Sequence, residues 1–314
     1  MHERDQMPIA IETNRLVKRY ADVIAVDDLS LRVAQAEIYA FLGLNGAGKT
    51  TTIRMLLGMV KPTSGEALVL GKMIGRRSDN PWDAVGYLVE TPHAYPELTV
   101  RENLDAVRRL RPGVDRRAVE RVVERLGLGA YADRRTGTLS LGNAQRLGLA
   151  KALIHNPALL LLDEPANGLD PAGIFEIRQL LREMVQEQGV TVFMSSHILG
   201  EVARLADRIG IIHQGRLILE LDVHEVERNR RKRLLICTRD VRAGQRVLHA
   251  AGFSPILTQE GSIEISDDAA IDRPDDIAAQ LVQAGHAPTL LAVEQEDLEH
   301  YFLRLVGMSN ESEQ

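Results

Sequence analysis

The stretch GLNGAGKT, Gly43 to Thr50, follows the strand-like EIYAFL and precedes an apolar helix that ends near Gly58. Glycines at these spacings let the backbone curl so that successive N–H groups surround phosphate oxygens. Lys49 would reach the β and γ groups and Thr50 would ligate magnesium. Gly43, Asn45, Gly46, Ala47, Gly48, Lys49, Thr50 and Thr51 are therefore candidates for nucleotide binding. The competing reading is a glycine-rich turn that happens to precede a lysine. The strand before and the helix after are what a phosphate loop requires.

A second chemical cluster stands at ALLLLDEP, where Asp163 and Glu164 leave an apolar strand-like run. With a phosphate loop upstream, Asp163 is a candidate magnesium ligand and Glu164 a candidate base for water. Carboxylates also end strands merely to solvate them. His197 in FMSSHIL follows another β-rich run, at a place where an imidazole could contact a γ-phosphate or attacking water. Tyr20 lies between two early strands and could stack on adenine, or serve only as a packing tyrosine.

One further stretch, LSLGNAQRLGLAKAL, reads as a helix opening on an anion. Ser140 can cap it, Gly142 allows close approach, and Leu147, Ala150 and Ile154 form an apolar stripe. It carries no phosphate-holding lysine. The sequence thus holds one whole phosphate site and half of another.

The elements that must position these residues form an α/β alternation. IAIETNRLVKRY and, after a turn-prone VDD, LSLRVAQAEIYAFL read as strands. The pattern turns helical from about 97 to 155, where Thr99 and Glu102 have the spacing of a capping box. Strands return in ALLLLDE, GVTVFMSS and the hairpin-like RIGIIHQGRLIL with its Gln-Gly turn. Residues 1–225 form the nucleotide-binding domain and 226–233, arginine-rich, a solvated linker. Residues 234–308 alternate again as a small α/β domain, LLICT through DLEHYFLRLVG, and 309–314 are an expected disordered tail.

Composition narrows the class. The 314 residues, 45% hydrophobic and 26% charged, suit an ordinary globular protein with a large core. A net charge of -6 argues against a generally basic nucleic-acid binder, so no nucleic-acid partner is expected. The single cysteine, Cys237, excludes an internal disulfide and is expected to be buried. No signal-peptide pattern and no run of about 18 apolar residues is present, so a membrane role requires another chain to cross.

Taken together these motifs resemble the ATP-binding cassette family, in its order of aromatic loop, Walker A, glutamine loop, signature, Walker B, D-loop and histidine switch. The resemblance runs from about Asn14 to Glu220. It implies a P-loop fold with an antiparallel β subdomain and a helical insertion, ATP and Mg2+ as cofactors, and two cassettes paired head to tail. Ser140, Gly142 and Asn143 of one copy would then close over ATP held by Lys49, Thr50, Asp163, Glu164 and His197 of the other, with Asp170 between the sites. The signature reads Leu139-Ser140-Leu141-Gly142-Asn143 where the family usually has Leu-Ser-Gly-Gly-Gln, and Glu90 stands where the glutamine loop has its glutamine. Both features are similar to the bacitracin-resistance and lantibiotic-immunity exporter ATPases, and Glu90 is carried over as an oxygen ligand to the metal.

The expectation that follows is an exporter ATPase on the cytoplasmic face of the membrane, driving a separate permease through the segment Glu90 to Thr99. Two alternatives stand beside it. A soluble cassette ATPase on ribosomes or DNA would usually show two cassettes or a coiled coil, and neither is visible. An importer ATPase with a ligand-sensing C-terminal domain fits the small domain but not the exporter-like segment from Glu90 to Leu104.

Overall fold

The computed structural model describes residues 8–75, 81–90, 92–202, 204–258, 260–298 and 301. The chain divides into two compact units, Met1–His224 and Glu225–Gln314.

The first unit opens with β1 (Ile9–Tyr20) and β2 (Val23–Ala34), an antiparallel pair, followed by β3 (Ile38–Leu42) and α1 (Lys49–Leu56). Strands β4 (Ser64–Val69) and β5 (Lys72–Met73) return to the first sheet, whose order is β2-β1-β4-β5. After β6 (Val85–Leu88) come the helices of the insertion, α2 (Val100–Arg109), α3 (Arg117–Arg125) and α4 (Leu141–Leu153). The chain continues through β7 (Leu159–Leu162), α5 (Pro171–Gln188), β8 (Thr191–Ser196), the short α6 (Leu199–Val202), and the hairpin β9 (Arg208–His213) and β10 (Arg216–Asp222). The second sheet has the order β10-β9-β3-β8-β7-β6, parallel except at the β9–β10 edge.

Every residue of β3, β7 and β8 is buried, as expected of central parallel strands covered on both faces. Tyr39 and Phe193 stack in the middle of this core, with Phe41 tilted against Phe193. The consequence for chemistry is positional. The phosphate loop, the Asp163–Glu164 pair and His197 follow the C-terminal ends of β3, β7 and β8, the edge at which open α/β sheets collect their ligands.

Local expectations meet the structure in several places. Thr99 and Glu102 form the full capping box, the Thr99 N–H donating to Glu102 Oε2 at 2.8 Å. The Gln-Gly turn joins β9 to β10 with left-handed φ at Gln214 and Gly215. The VDD segment, expected as a turn, lies inside β2 as an irregularity in its pairing with β1. A contact remote in sequence holds it there: Asp27 donates its N–H to Gly215 O at 2.9 Å and takes Arg216 on its carboxylate at 2.6 Å.

The second unit contains α7 (Val223–Asn229, which starts in the first unit's last residues), β11 (Lys232–Thr238), α8 (Val241–Ala250), β12 (Ile256–Leu257), β13 (Ile263–Ile265), α9 (Asp268–Asp272), α10 (Pro274–Gln283) and β14 (Pro288–Gln295). Its antiparallel sheet, ordered β12-β13-β11-β14, packs Leu234, Ile236, Ile263 and Ile265 with Leu248, Ile277 and Leu281 of the helices. The expected basic linker at 226–233 is instead mostly regular structure, the end of α7 and the start of β11. Arg233 pairs with Glu294 at 3.0 Å, directly across from it in β14, and with Glu264 at 2.8 Å on β13, whose register partner is Leu235 two residues along. Cys237 is half-exposed rather than buried, since its neighbours Ile236 and Thr238 take the core side of β11. The expected closing helix DLEHYFLRLVG lies largely, and the tail 309–314 wholly, outside the described residues.

Candidate active site

The phosphate loop starts where β3 leaves the sheet. Gly46 and Gly48 take left-handed φ of 81° and 110°, and a Cβ at Gly48 would sit 2.4 Å from Ala25 O. Glycine is thus required there both by backbone angle and by the approach of β2. Helix α1 begins at Lys49 with no side-chain cap, which leaves the N–H groups of its first turn to an anion. Ala47 and Gly48 are buried, Thr51 lies partly exposed in the first turn, and Asn45 and Gly46 form the exposed crest.

Lys49 is 6% exposed, and its ammonium donates to Gly43 O at 2.6 Å and Leu44 O at 3.3 Å. It also stands 3.4 Å from Glu164 Oε1. Thr50 Oγ1 donates to Asp163 Oδ2 at 2.7 Å, which brings a hydroxyl and a carboxylate from residues far apart in sequence to one point. Two adjacent hard oxygen donors are what magnesium takes from a protein when phosphates and water supply the rest, so these residues fit that ion. Among the described residues no larger cluster of metal-ligating side chains occurs.

Glu164 adopts a left-handed φ of 49°, a strained conformation for a non-glycine residue that turns its carboxylate back across the strand ends. Its Oε2 lies 2.9 Å from His197 Nδ1, while Oε1 faces Lys49. Sequence reasoning missed the residue that organises this corner. Ser195, at the end of β8, donates to Asp163 Oδ1 at 2.6 Å and accepts from the Glu164 N–H at 3.0 Å. Gln145 was also missed: buried in α4, it donates through Nε2 to the carbonyls of Glu164 and Pro165, both at 3.1 Å. A carboxylate so placed can take a proton from water, and a lysine and imidazole so placed can meet developing negative charge.

Ser140 accepts the Asn143 N–H and caps α4 as expected, and Leu147, Ala150 and Ile154 are buried. Gly142 packs beside Gly168 and Leu169. Among the described residues no hydrogen bond joins Ser140, Gly142 or Asn143 to the phosphate loop, and the N-terminus of α4 at Ser140 and Leu141 is exposed. Asp170, in the turn after Glu164, caps α5 by accepting the Gly173 N–H at 2.9 Å.

Tyr20 and Glu90 make contacts of their own. Tyr20 ends β1 opposite Val23, with its ring half exposed and the Lys18 ammonium 4.7 Å from the ring centre. Glu90, expected among the metal ligands, has a left-handed φ of 59° and its carboxylate is ion-paired with Arg54. The guanidinium captures it because Arg54 stands one helical turn beyond Thr50 on α1.

The ABC transporter family pattern matches residues 26–167. The chain is 38% identical over 303 residues to the bacitracin transport ATP-binding protein BcrA of Bacillus licheniformis, covering 96% of this chain and 98% of that relative. The chain belongs to the ABC transporter ATP-binding family. As a cassette of this family it binds ATP and hydrolyses it to drive transport. The lantibiotic transport ATP-binding protein SrtF of Streptococcus pyogenes is 38% identical over 210 residues, covering 67% of this chain and 90% of SrtF. Among solved structures, the dimeric cassette MJ0796 superposes with a TM-score of 0.61 at 26% identity, over 68% of this chain and 98% of that one. The similarity to BcrA extends beyond Glu220, where the motifs end, and takes in the second unit as well.

Proposed function

We propose that this cassette powers the export of a peptide antibiotic, drug or lipid-like compound through a separate membrane permease. The observation that carries the reading is the placement of Glu164 between Lys49 and His197, beside the Thr50–Asp163 pair, on a chain collinear with a bacitracin transport ATPase. In this reading Glu164 is the base that takes a proton from the attacking water, His197 orients it and meets the γ-phosphate, and Lys49 anchors the β and γ groups. Thr50 and Asp163 would hold magnesium, which neutralises charge on the transferring phosphoryl group when bound. Tyr20 stacks on adenine.

The exposed N-terminus of α4, capped by Ser140, supports a head-to-tail pair, in which each α4 completes the site of the other copy. No helix of the described residues is long and apolar enough to cross a membrane, which fits peripheral attachment at the cytoplasmic face through the permease. Purification of the full chain from its native membrane, with identification of what accompanies it, tests the reading. Recovery of a polytopic membrane protein that stimulates ATP hydrolysis is expected; recovery of ribosomes or nucleic acid in its place would overturn it.

A further inference from the structure

The structure pairs the unusual carboxylate of this site with a residue that no motif assigns. Glu90 stands two residues past Leu88, whose carbonyl accepts the Asp163 N–H at 2.7 Å, so the loop leaves β6 beside the metal-binding pair. Its left-handed backbone turns the side chain onto α1, where Arg54 takes the carboxylate. Thr50 and Arg54 are spaced four apart on that helix and share a face, so two attractions for a carboxylate rise from the same side of α1. One is the guanidinium of Arg54. The other is the hard-cation site of Thr50 and Asp163, joined at 2.7 Å.

We propose that Arg54 is a positioning residue that competes with the magnesium site for the Glu90 carboxylate and thereby sets how strongly this cassette depends on magnesium to bind nucleotide. The inference rests on the functional reading above and adds to it a second, opposing partner for Glu90. A neutral amide at this position would need no cation to balance it, whereas a glutamate beside bound phosphates does, and Arg54 supplies that cation. The pair is exposed enough to exchange, with side-chain exposures of 35% for Arg54 and 50% for Glu90. An ion pair in such a setting is weak and leaves its carboxylate available to a stronger ligand.

The test is a binding measurement that does not depend on turnover. The affinity of the full chain for a non-hydrolysable ATP analogue is measured by calorimetry in excess Mg2+ and again in EDTA, and the ratio of the two affinities is the readout. Arg54→Met is expected to raise that ratio by about two- to fivefold, the range an exposed ion pair supplies, and Arg54→Lys to stay near wild type. Glu90→Gln should lower the ratio, and Arg54→Met should have no further effect in the Glu90→Gln background. An unchanged ratio in Arg54→Met, or an equal effect of Arg54→Met with and without Glu90, would overturn the inference while leaving the functional reading intact. A wild-type chain that binds no nucleotide, or one whose Lys49→Ala variant binds equally well, would overturn both.

Discussion

Ser195 Oγ lies 2.6 Å from Asp163 Oδ1, a hydrogen bond between the ends of two adjacent buried strands. The same oxygen accepts the Glu164 N–H, so one hydroxyl fixes both carboxylates of the site, one through its side chain and one through its backbone. Ser195→Ala is therefore expected to cost about 1–3 kcal/mol of stability, the penalty for leaving a buried acceptor unmade. It should also reduce kcat, and Ser195→Thr should recover most of both. Urea unfolding and steady-state ATP hydrolysis of the two variants check this.

The exposed N-terminus of α4 leads to a complementation test. Ser140→Arg and Lys49→Ala subunits are each expected to be inactive alone. Mixed, they should regain hydrolysis, because one interface of the heterodimer joins an intact phosphate loop to an intact α4 N-terminus. Activity assays on heterodimers isolated by dual affinity tags decide the matter, and persistent inactivity would contradict a shared site.

His155 offers a prediction in pH. Its Nε2 meets Val85 O at 3.1 Å, while its Nδ1 is buried without a partner among the described residues. Burial, with Arg111 nearby, holds its pKa below the usual 6.5. The unfolded chain then binds a proton at higher pH than the folded one, so stability is lost as pH falls below 6.5 toward the folded value. His155→Gln should flatten that part of the stability profile, measured by thermal unfolding in matched buffers.

Much of this arrangement is legible in the sequence because it is local. The phosphate loop, the all-apolar LLLL of β7 and the Thr99–Glu102 box each declare themselves within a few residues. What escapes is decided by partners brought near only by the sheet. Ser195 reads as one more small residue in a β run until β8 pairs with β7 and sets it beside Asp163. Gln145 looks like part of a polar helix face, yet it is buried against the carbonyls of Glu164 and Pro165. Glu90 could be assigned to the metal from its motif position, but not to Arg54, which lies 36 residues earlier. The arginines at 228–233 read as a solvated linker because the carboxylates that pair Arg233 come from strands 31 and 61 residues further on.

Glu164, poised between Lys49 and His197, is proposed as the base of the ATP-hydrolysing site, and a single isosteric variant isolates that role. Glu164→Gln keeps the length of the side chain and removes its capacity to take a proton. Single-turnover hydrolysis and ATP binding should be measured together on the full chain. Glu164→Gln is expected to bind ATP as tightly as wild type and to hydrolyse it at a rate lower by a factor of about 100 or more. Hydrolysis near the wild-type rate, with ATP bound normally, would contradict it.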